Sequence, residues 1–270
     1  MPETTPRRIA LVADARHYVG PELSRMFARR GHDLVLGDPD PELVAELEAL
    51  GSTVLAVEKV SNIAKPENSQ KLVDAAIARF GHFDAAVAAS GQIIPGSFLE
   101  STIDQYEKIV DGCLYAPYHF LKAVIPPLVA QGSGQVLVIT SAAGARPTPG
   151  ASLYSSVRAG ATMLTRNVAG EVARKNVQVN AVGTNFMDFP EFLEATGAKD
   201  GVVEEVSPNS VKFSFSDTKK VFDRESESTK EVSIGKEQKK LIPTAMGKLV
   251  NEFMVKYFEP IMDIDFTATF

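Results

Sequence analysis

Short apolar runs alternate with amphipathic stretches from Arg7 to Val182. Ile9-Ala10-Leu11-Val12, Asp33 to Leu36, Thr53 to Val57, Ala85 to Ala89, Val136 to Ile139 and Val177 to Val182 read as six strands. Residues 21–30, 41–50, 71–80, 103–129 and 155–173 carry helical apolar spacing between them. Continuous apolar strands alternating with helices predict an α/β fold, a Rossmann-like doubly wound parallel sheet covered on both faces. Ligands of such sheets bind beyond the carboxyl ends of the strands. The residues at those ends therefore matter most.

The pattern changes near residue 199. Residues 1–198 hold 11 Arg, 6 Lys and 29 Ala, whereas residues 199–270 hold 1 Arg, 10 Lys and 2 Ala. Ser207 to Lys240 is rich in Ser, Lys and Glu, as in a polar linker or a solvated two-sided strand region. Leu249 to Phe258 returns to helical apolar spacing. The expected organisation is a catalytic domain over 1–198 and an atypical C-terminal appendage over 199–270.

Composition narrows the function classes. With 270 residues and 44% hydrophobic content, the chain can bury a sizeable core. A net charge of −6 gives no broad attraction to nucleic acid. The single cysteine, Cys113, excludes an internal disulfide framework and fits a reducing compartment. Its expected place is a small buried position. The N-terminus lacks a signal-peptide apolar region, and no apolar run reaches membrane-spanning length. A cytoplasmic protein without membrane or nucleic-acid partners is expected. His17, His32, His82 and His119 show no metal-ligand spacing.

Ser141, Tyr154 and Arg158 form the constellation with chemistry. Ser141 ends the fifth strand, and Tyr154 and Arg158 share a face at the start of the next helix. A guanidinium one turn from a phenol favours the phenolate, and a serine hydroxyl can orient a substrate oxygen. The pair makes a general base with an orienting donor. By spacing alone, a surface i,i+4 cation–aromatic contact is the commoner reading.

The first turn, Val12-Ala13-Asp14-Ala15-Arg16-His17-Tyr18-Val19-Gly20, keeps only Gly20 of the glycines a dinucleotide turn uses. Asp14 and Tyr18 stand at the other two positions. A carboxylate at a helix N-terminus competes with phosphate, and a tyrosine fills space the cofactor needs. Tyr18 is otherwise a loop aromatic on the core. Asp38 ends the second strand, where an NAD-binding chain holds ribose, or it caps the following helix.

A strand–turn–helix start, a Ser at the end of the fifth strand and a Tyr thirteen residues later resemble the short-chain dehydrogenase/reductase superfamily over residues 7–198. Most of its members carry Lys four residues after the Tyr. Arg158 in that place, with the aromatic Tyr18 and then Gly20 in the first turn, resembles the halohydrin dehalogenases. Their first turn usually begins with Thr, where this chain has Ala13. The segment Gly183-Thr184-Asn185-Phe186-Met187 resembles their halide pocket, with Asn followed by an aromatic. An ordinary substrate loop is the alternative reading of that segment.

This resemblance implies cofactor-independent conversion of vicinal haloalcohols to epoxides, with reverse opening by small anions. Ser141, Tyr154 and Arg158 would be catalytic, and Tyr18, Thr184, Asn185, Phe186 and Met187 would hold halide or substrate. It also implies a homotetramer built partly from the helices over 103–129 and 155–173. Two rival expectations stand beside it. One is an NAD(P)-dependent short-chain oxidoreductase, binding NAD or NADP through Gly20 and Asp38. The other is an inactive fusion. The further helix, seventh strand and Gly-rich end usual in these families are not recognisable after residue 198. Residues 240–268 instead resemble a segment of bacterial type IA DNA topoisomerases, without a matched catalytic tyrosine, so no topoisomerase activity is implied.

Overall fold

The structure is a computed structural model that describes residues 7–148 and 150–184 in full, together with the backbone of five strands between residues 203 and 243. The chain divides into two units, and residues 7–184 belong to the first.

In the first unit, strands β1 (Ile9–Val12), β2 (Asp33–Gly37), β3 (Val54–Val57), β4 (Ala85–Ala89), β5 (Gly134–Ser141) and β6 (Val177–Thr184) form one sheet in the order β3-β2-β1-β4-β5-β6. Every neighbouring pair in it is parallel. Strands buried on both faces need apolar side chains at successive positions. β1 is buried at all four, which is why its sequence runs Ile-Ala-Leu-Val without alternation. Helices α1 (Gly20–Arg29), α2 (Pro41–Ala49), α3 (Pro66–Phe80), α4 (Ile103–Val110), α5 (Ala116–Gln131) and α6 (Ser152–Val172) connect the strands. Phe83, Phe120, Leu72, Leu128 and Leu11 anchor the core between the sheet and its helices. The Rossmann-like α/β expectation holds, and strand order reverses between β1 and β4, which opens the ligand crevice there.

One expected helix is interrupted. The chain over 103–129 is α4 and α5 joined by a π turn, Asp111–Tyr115. A capping box of Thr102 and Gln105 starts α4. The π turn directs Cys113 into a fully buried position. Gly112 lies close to Gly91, where an added Cβ would sit 3.4 Å from the Gly91 Cα. Widened turns of this kind cluster at functional sites.

The second unit contains β7 (Val203–Ser207), β8 (Ser210–Phe213), β9 (Thr218–Asp223), β10 (Ser228–Ser233) and β11 (Lys240–Pro243). β9 and β10 form an antiparallel pair that sets Lys220 opposite Glu231. β11, β8 and β7 form a separate antiparallel sheet. Where residues between Ser207 and Lys240 are described, they are strand, one of the two readings open for that stretch. The helical spacing at Leu249 to Phe258, and the topoisomerase-like stretch beyond Pro243, lie outside the described residues.

Candidate active site

The candidate site is built at the carboxyl ends of β1, β4, β5 and β6. β5 delivers Ser141 at its last position, opposite Thr184 in the β5–β6 register. The Ser141 Oγ accepts from the Ala143 N–H at 3.2 Å, starting a short turn over Ala142–Gly144. An oxygen that accepts in this way keeps its own proton for a substrate oxygen. Gly144 makes the next step possible. A Cβ there would come 2.8 Å from the Ala159 backbone nitrogen, so only glycine lets this turn lie against α6.

α6 carries Tyr154 and Arg158. Its buried positions, Val157, Arg158, Ala161 and Thr165, form an inward stripe, and Arg158 lies on that stripe with only 5% exposure. The guanidinium carbon stands 5.1 Å from the centre of the Tyr154 ring. Arg158 donates from Nη2 to the Ser90 carbonyl and from Nη1 to the Ile139 carbonyl at 3.5 Å. Its Nε is buried with no hydrogen-bond partner. The i,i+4 pair is thus an interior contact, with the cation stacked on the phenol and aimed at strand-end carbonyls. Tyr154 packs in turn against the buried cluster of Ile109, Cys113 and Val157.

Gly91, which the sequence shows only as the last residue of the Ala88-Ala89-Ser90-Gly91 segment, matters to the site. Its φ is +108°, and a Cβ there would run into the Arg158 guanidinium and lie 2.6 Å from the Cys113 Sγ. Cys113 is fully buried, as its sequence reading requires. Burial pushes its thiol up from the ordinary value, against the opposing charge of Arg158. The sequence signal for Gly91 was its place two residues past the end of β4.

Tyr18 reaches across the site. Its hydroxyl donates to the Thr184 Oγ1 at 2.7 Å, and Thr184 Oγ1 donates onward to the Thr140 carbonyl at 3.2 Å. Tyr18 is therefore more than a loop aromatic. Its backbone has φ +57°, a conformation that suits the glycine usual at this position. Burial pushes the Tyr18 phenol above its ordinary value, with Thr184 and Arg158 pulling the other way. The structure brings Tyr18, Thr184, Ser141, Tyr154 and Arg158 to one end of the sheet. Asn185, Phe186 and Met187 lie outside the described residues.

The remaining turn residues have other partners. The Asp14 carboxylate accepts from the backbone N–H groups of Arg16 and His17 at 3.0 and 3.2 Å and pairs with the His17 ring at 3.1 Å. Arg16 pairs with Asp40 at 2.9 Å. Gly20 opens α1, where a Cβ would run into the Asp14 carbonyl. Asp38 neither caps α2 nor stands uncommitted for ribose. Its carboxylate accepts three backbone N–H groups, from Lys59, Val60 and Ser61. Burial acts to raise its pKa, but these three bonds outweigh it and hold the carboxyl below its ordinary value.

The family model for short chain dehydrogenase matches residues 8–200. The chain belongs to that family. It is 30% identical over 188 residues to 2,5-dichloro-2,5-cyclohexadiene-1,4-diol dehydrogenase LinX of Sphingobium indicum, covering 68% of this chain and 74% of the relative. It is 26% identical over 204 residues to 3-oxoacyl-[acyl-carrier-protein] reductase FabG of Staphylococcus epidermidis, covering 73% and 82%. Among solved structures, 7α-hydroxysteroid dehydrogenase complexed with NADH and 7-oxo glycochenodeoxycholic acid superposes with a TM-score of 0.60 at 26% identity, covering 65% and 69%.

These relatives are dehydrogenases and reductases by name, and one was solved with NADH bound. They overturn the expectation that the chain works without a cofactor. That expectation rested on Asp14 and Tyr18 in the first turn and on the family resemblance carried by Tyr18, Arg158 and the Thr184-Asn185-Phe186 segment. The relatives also favour the oxidoreductase alternative over the dehalogenase reading. As arranged here, however, the turn does not fit a dinucleotide. Asp14 occupies turn amides that a pyrophosphate would use, Tyr18 lies across the crevice, and Asp38 is committed to the loop after β3.

Among the described residues, no helix is long and apolar enough to cross a membrane.

Proposed function

We propose that this protein is a short-chain oxidoreductase that interconverts an alcohol and a carbonyl compound with NAD or NADP. The observation that supports it most is the placement of Tyr154 on α6, against the buried Arg158 and at the end of the strand that carries Ser141. Ser141 donates a hydrogen bond to the substrate oxygen. Tyr154 exchanges a proton with that same oxygen as general acid or base. Arg158, clamped by two backbone carbonyls, holds the phenol ring and supplies a fixed positive charge beside it. Residues 1–198 make up the catalytic domain in this reading, and residues 199–270 an appendage to it. A homotetramer assembled through the helices around 103–129 and 155–173 goes with it. Incubation with NADH or NADPH and a panel of small ketones, followed by nicotinamide absorbance, tests the activity. Turnover lost in Tyr154→Phe supports it, and no turnover with any pair refutes it.

A second reading is kept because of one observation. The Tyr18–Thr184 hydrogen bond brings an aromatic side chain to Thr184, which pairs with Ser141 in the β5–β6 register. Such a site suits a vicinal haloalcohol. Tyr154 would take the hydroxyl proton, and the alkoxide would displace the neighbouring halide to close an epoxide. Tyr18, Thr184, Asn185, Phe186 and Met187 would line the halide side. Release of bromide from a small bromoalcohol, titrated against a Tyr154→Phe control, decides this reading.

A further inference from the structure

Ser141 and Tyr154 account for one oxygen of a substrate. A separate cavity of about 170 Å³ opens at the start of α6, between Leu153 and the chain that follows β4. A space of that size holds about one six-membered ring or a short branched chain. Gly96 donates to the Gly150 carbonyl at 2.8 Å and joins its two walls. Ile94 and Leu153, one from each wall, pack against the same buried cluster of Ile109, Cys113 and Val157 that supports Tyr154. The cavity and the Tyr154 side chain therefore rest on one support, with Leu153 and Tyr154 adjacent on α6. The lining divides by chemistry. Ile94, Pro95 and Leu153 supply carbon, and Glu100 is the one ionisable residue among the described residues that line it. The Glu100 carboxylate has no hydrogen-bond or ion-pair partner among the described residues. No Lys or Arg occurs along the chain from Gly81 to Glu107 to neutralise it. An unpaired carboxylate on a concave, partly apolar wall attracts cations and repels anions.

We propose that this cavity takes the remote end of the substrate and that Glu100 selects a positive charge there. The substrate class is a small amino alcohol or amino ketone. Its carbon chain lies against Ile94 and Leu153, and its ammonium group meets the Glu100 carboxylate. This rests on the oxidoreductase reading above, which puts the other end of the substrate at Tyr154. The same charge turns away substrates that end in a carboxylate or a phosphate.

The test is binding to the full chain without nucleotide, read by NMR titration of the small molecule, so it does not depend on turnover. Three methyl ketones of one length are compared. One ends in trimethylammonium, one in the neutral tert-butyl isostere and one in carboxylate. Wild type should bind the cationic ketone best and the carboxylate worst. In Glu100→Gln the ratio of cationic to neutral affinity should fall by about threefold to fivefold, the range of one exposed ion pair. High salt should shrink the same ratio in wild type. Glu100→Lys should reverse the order and put the carboxylate first. A ratio unchanged in Glu100→Gln, or an order unchanged in Glu100→Lys, overturns the proposal. So does wild type that binds none of the three, and nicotinamide turnover of other ketones would then leave the oxidoreductase reading standing. Charge-selective binding lost in Glu100→Gln, with no nicotinamide turnover of any ketone, would support the cavity and refute that reading.

Discussion

Gly91 and Arg158 compete for one volume. A side chain on Gly91 would enter the space of the Arg158 guanidinium, which donates to the carbonyl of the adjacent Ser90. The buried cation of the site thus exists only because the chain leaving β4 has no Cβ at that point. Gly91→Ala is expected to destabilise the protein by about 2 kcal/mol or more, from overpacking and from the φ of +108° together. Denaturant unfolding measures it. Activity should fall further than the folded fraction explains, because the Arg158 group beside Tyr154 must shift.

Arg158 is predicted to be structural and electrostatic at once. Arg158→Ala leaves two strand-end carbonyls without their donor and a void beside the Tyr154 ring, at a cost of about 2–4 kcal/mol. Arg158→Lys keeps the charge but cannot reach both carbonyls with one flat group. It should retain more stability than the alanine variant, with reduced turnover. A thermal melt beside steady-state kinetics separates the two effects.

Tyr154→Phe should leave the fold unchanged, because the ring and its contact with Arg158 remain. Turnover should drop by about a hundredfold or more with the loss of the proton-transferring hydroxyl. Equal melting curves with unequal rates are the expected result, measured by circular dichroism and initial velocities.

Asp38 gives a pH prediction. Its carboxyl titrates below its ordinary value in the folded chain, because three backbone N–H groups point at it. The unfolded chain therefore binds more protons as pH falls below the usual aspartate range, so this contribution is complete above about pH 4 and is lost as pH drops through the lower folded value. Asp38→Asn should lower the melting temperature at neutral pH, and the gap to wild type should shrink below about pH 4. A constant gap across that range would show that the three bonds are not charge-assisted.

The sheet was legible because strands buried on both faces write themselves as unbroken apolar runs, as in Ile9 to Val12 and Ala85 to Ala89. The break between α4 and α5 was not, because a π turn inserts no polar residue at the buried position it creates, where Cys113 sits. Ser141, Tyr154 and Arg158 were found from spacing, yet burial of the guanidinium was not, since its partners are main-chain carbonyls with no sequence signature. The same holds for Asp38, whose partners are three amides some twenty residues away. Tyr18 was recognised as an intruder in a glycine turn. Its partner Thr184, 166 residues along the chain, is set by strand order and not by any local pattern. Reading that turn together with Arg158 and the segment after β6 as a dehalogenase pattern led to the loss of the cofactor, an inference the relatives overturn.

The most direct test of the account is nicotinamide turnover by the purified full chain with small ketones and alcohols, run beside bromide release from a small bromoalcohol. The account predicts oxidation or reduction of the nicotinamide that depends on the Tyr154 hydroxyl. Bromide release dependent on the same hydroxyl, with no nicotinamide turnover under any condition, would contradict it.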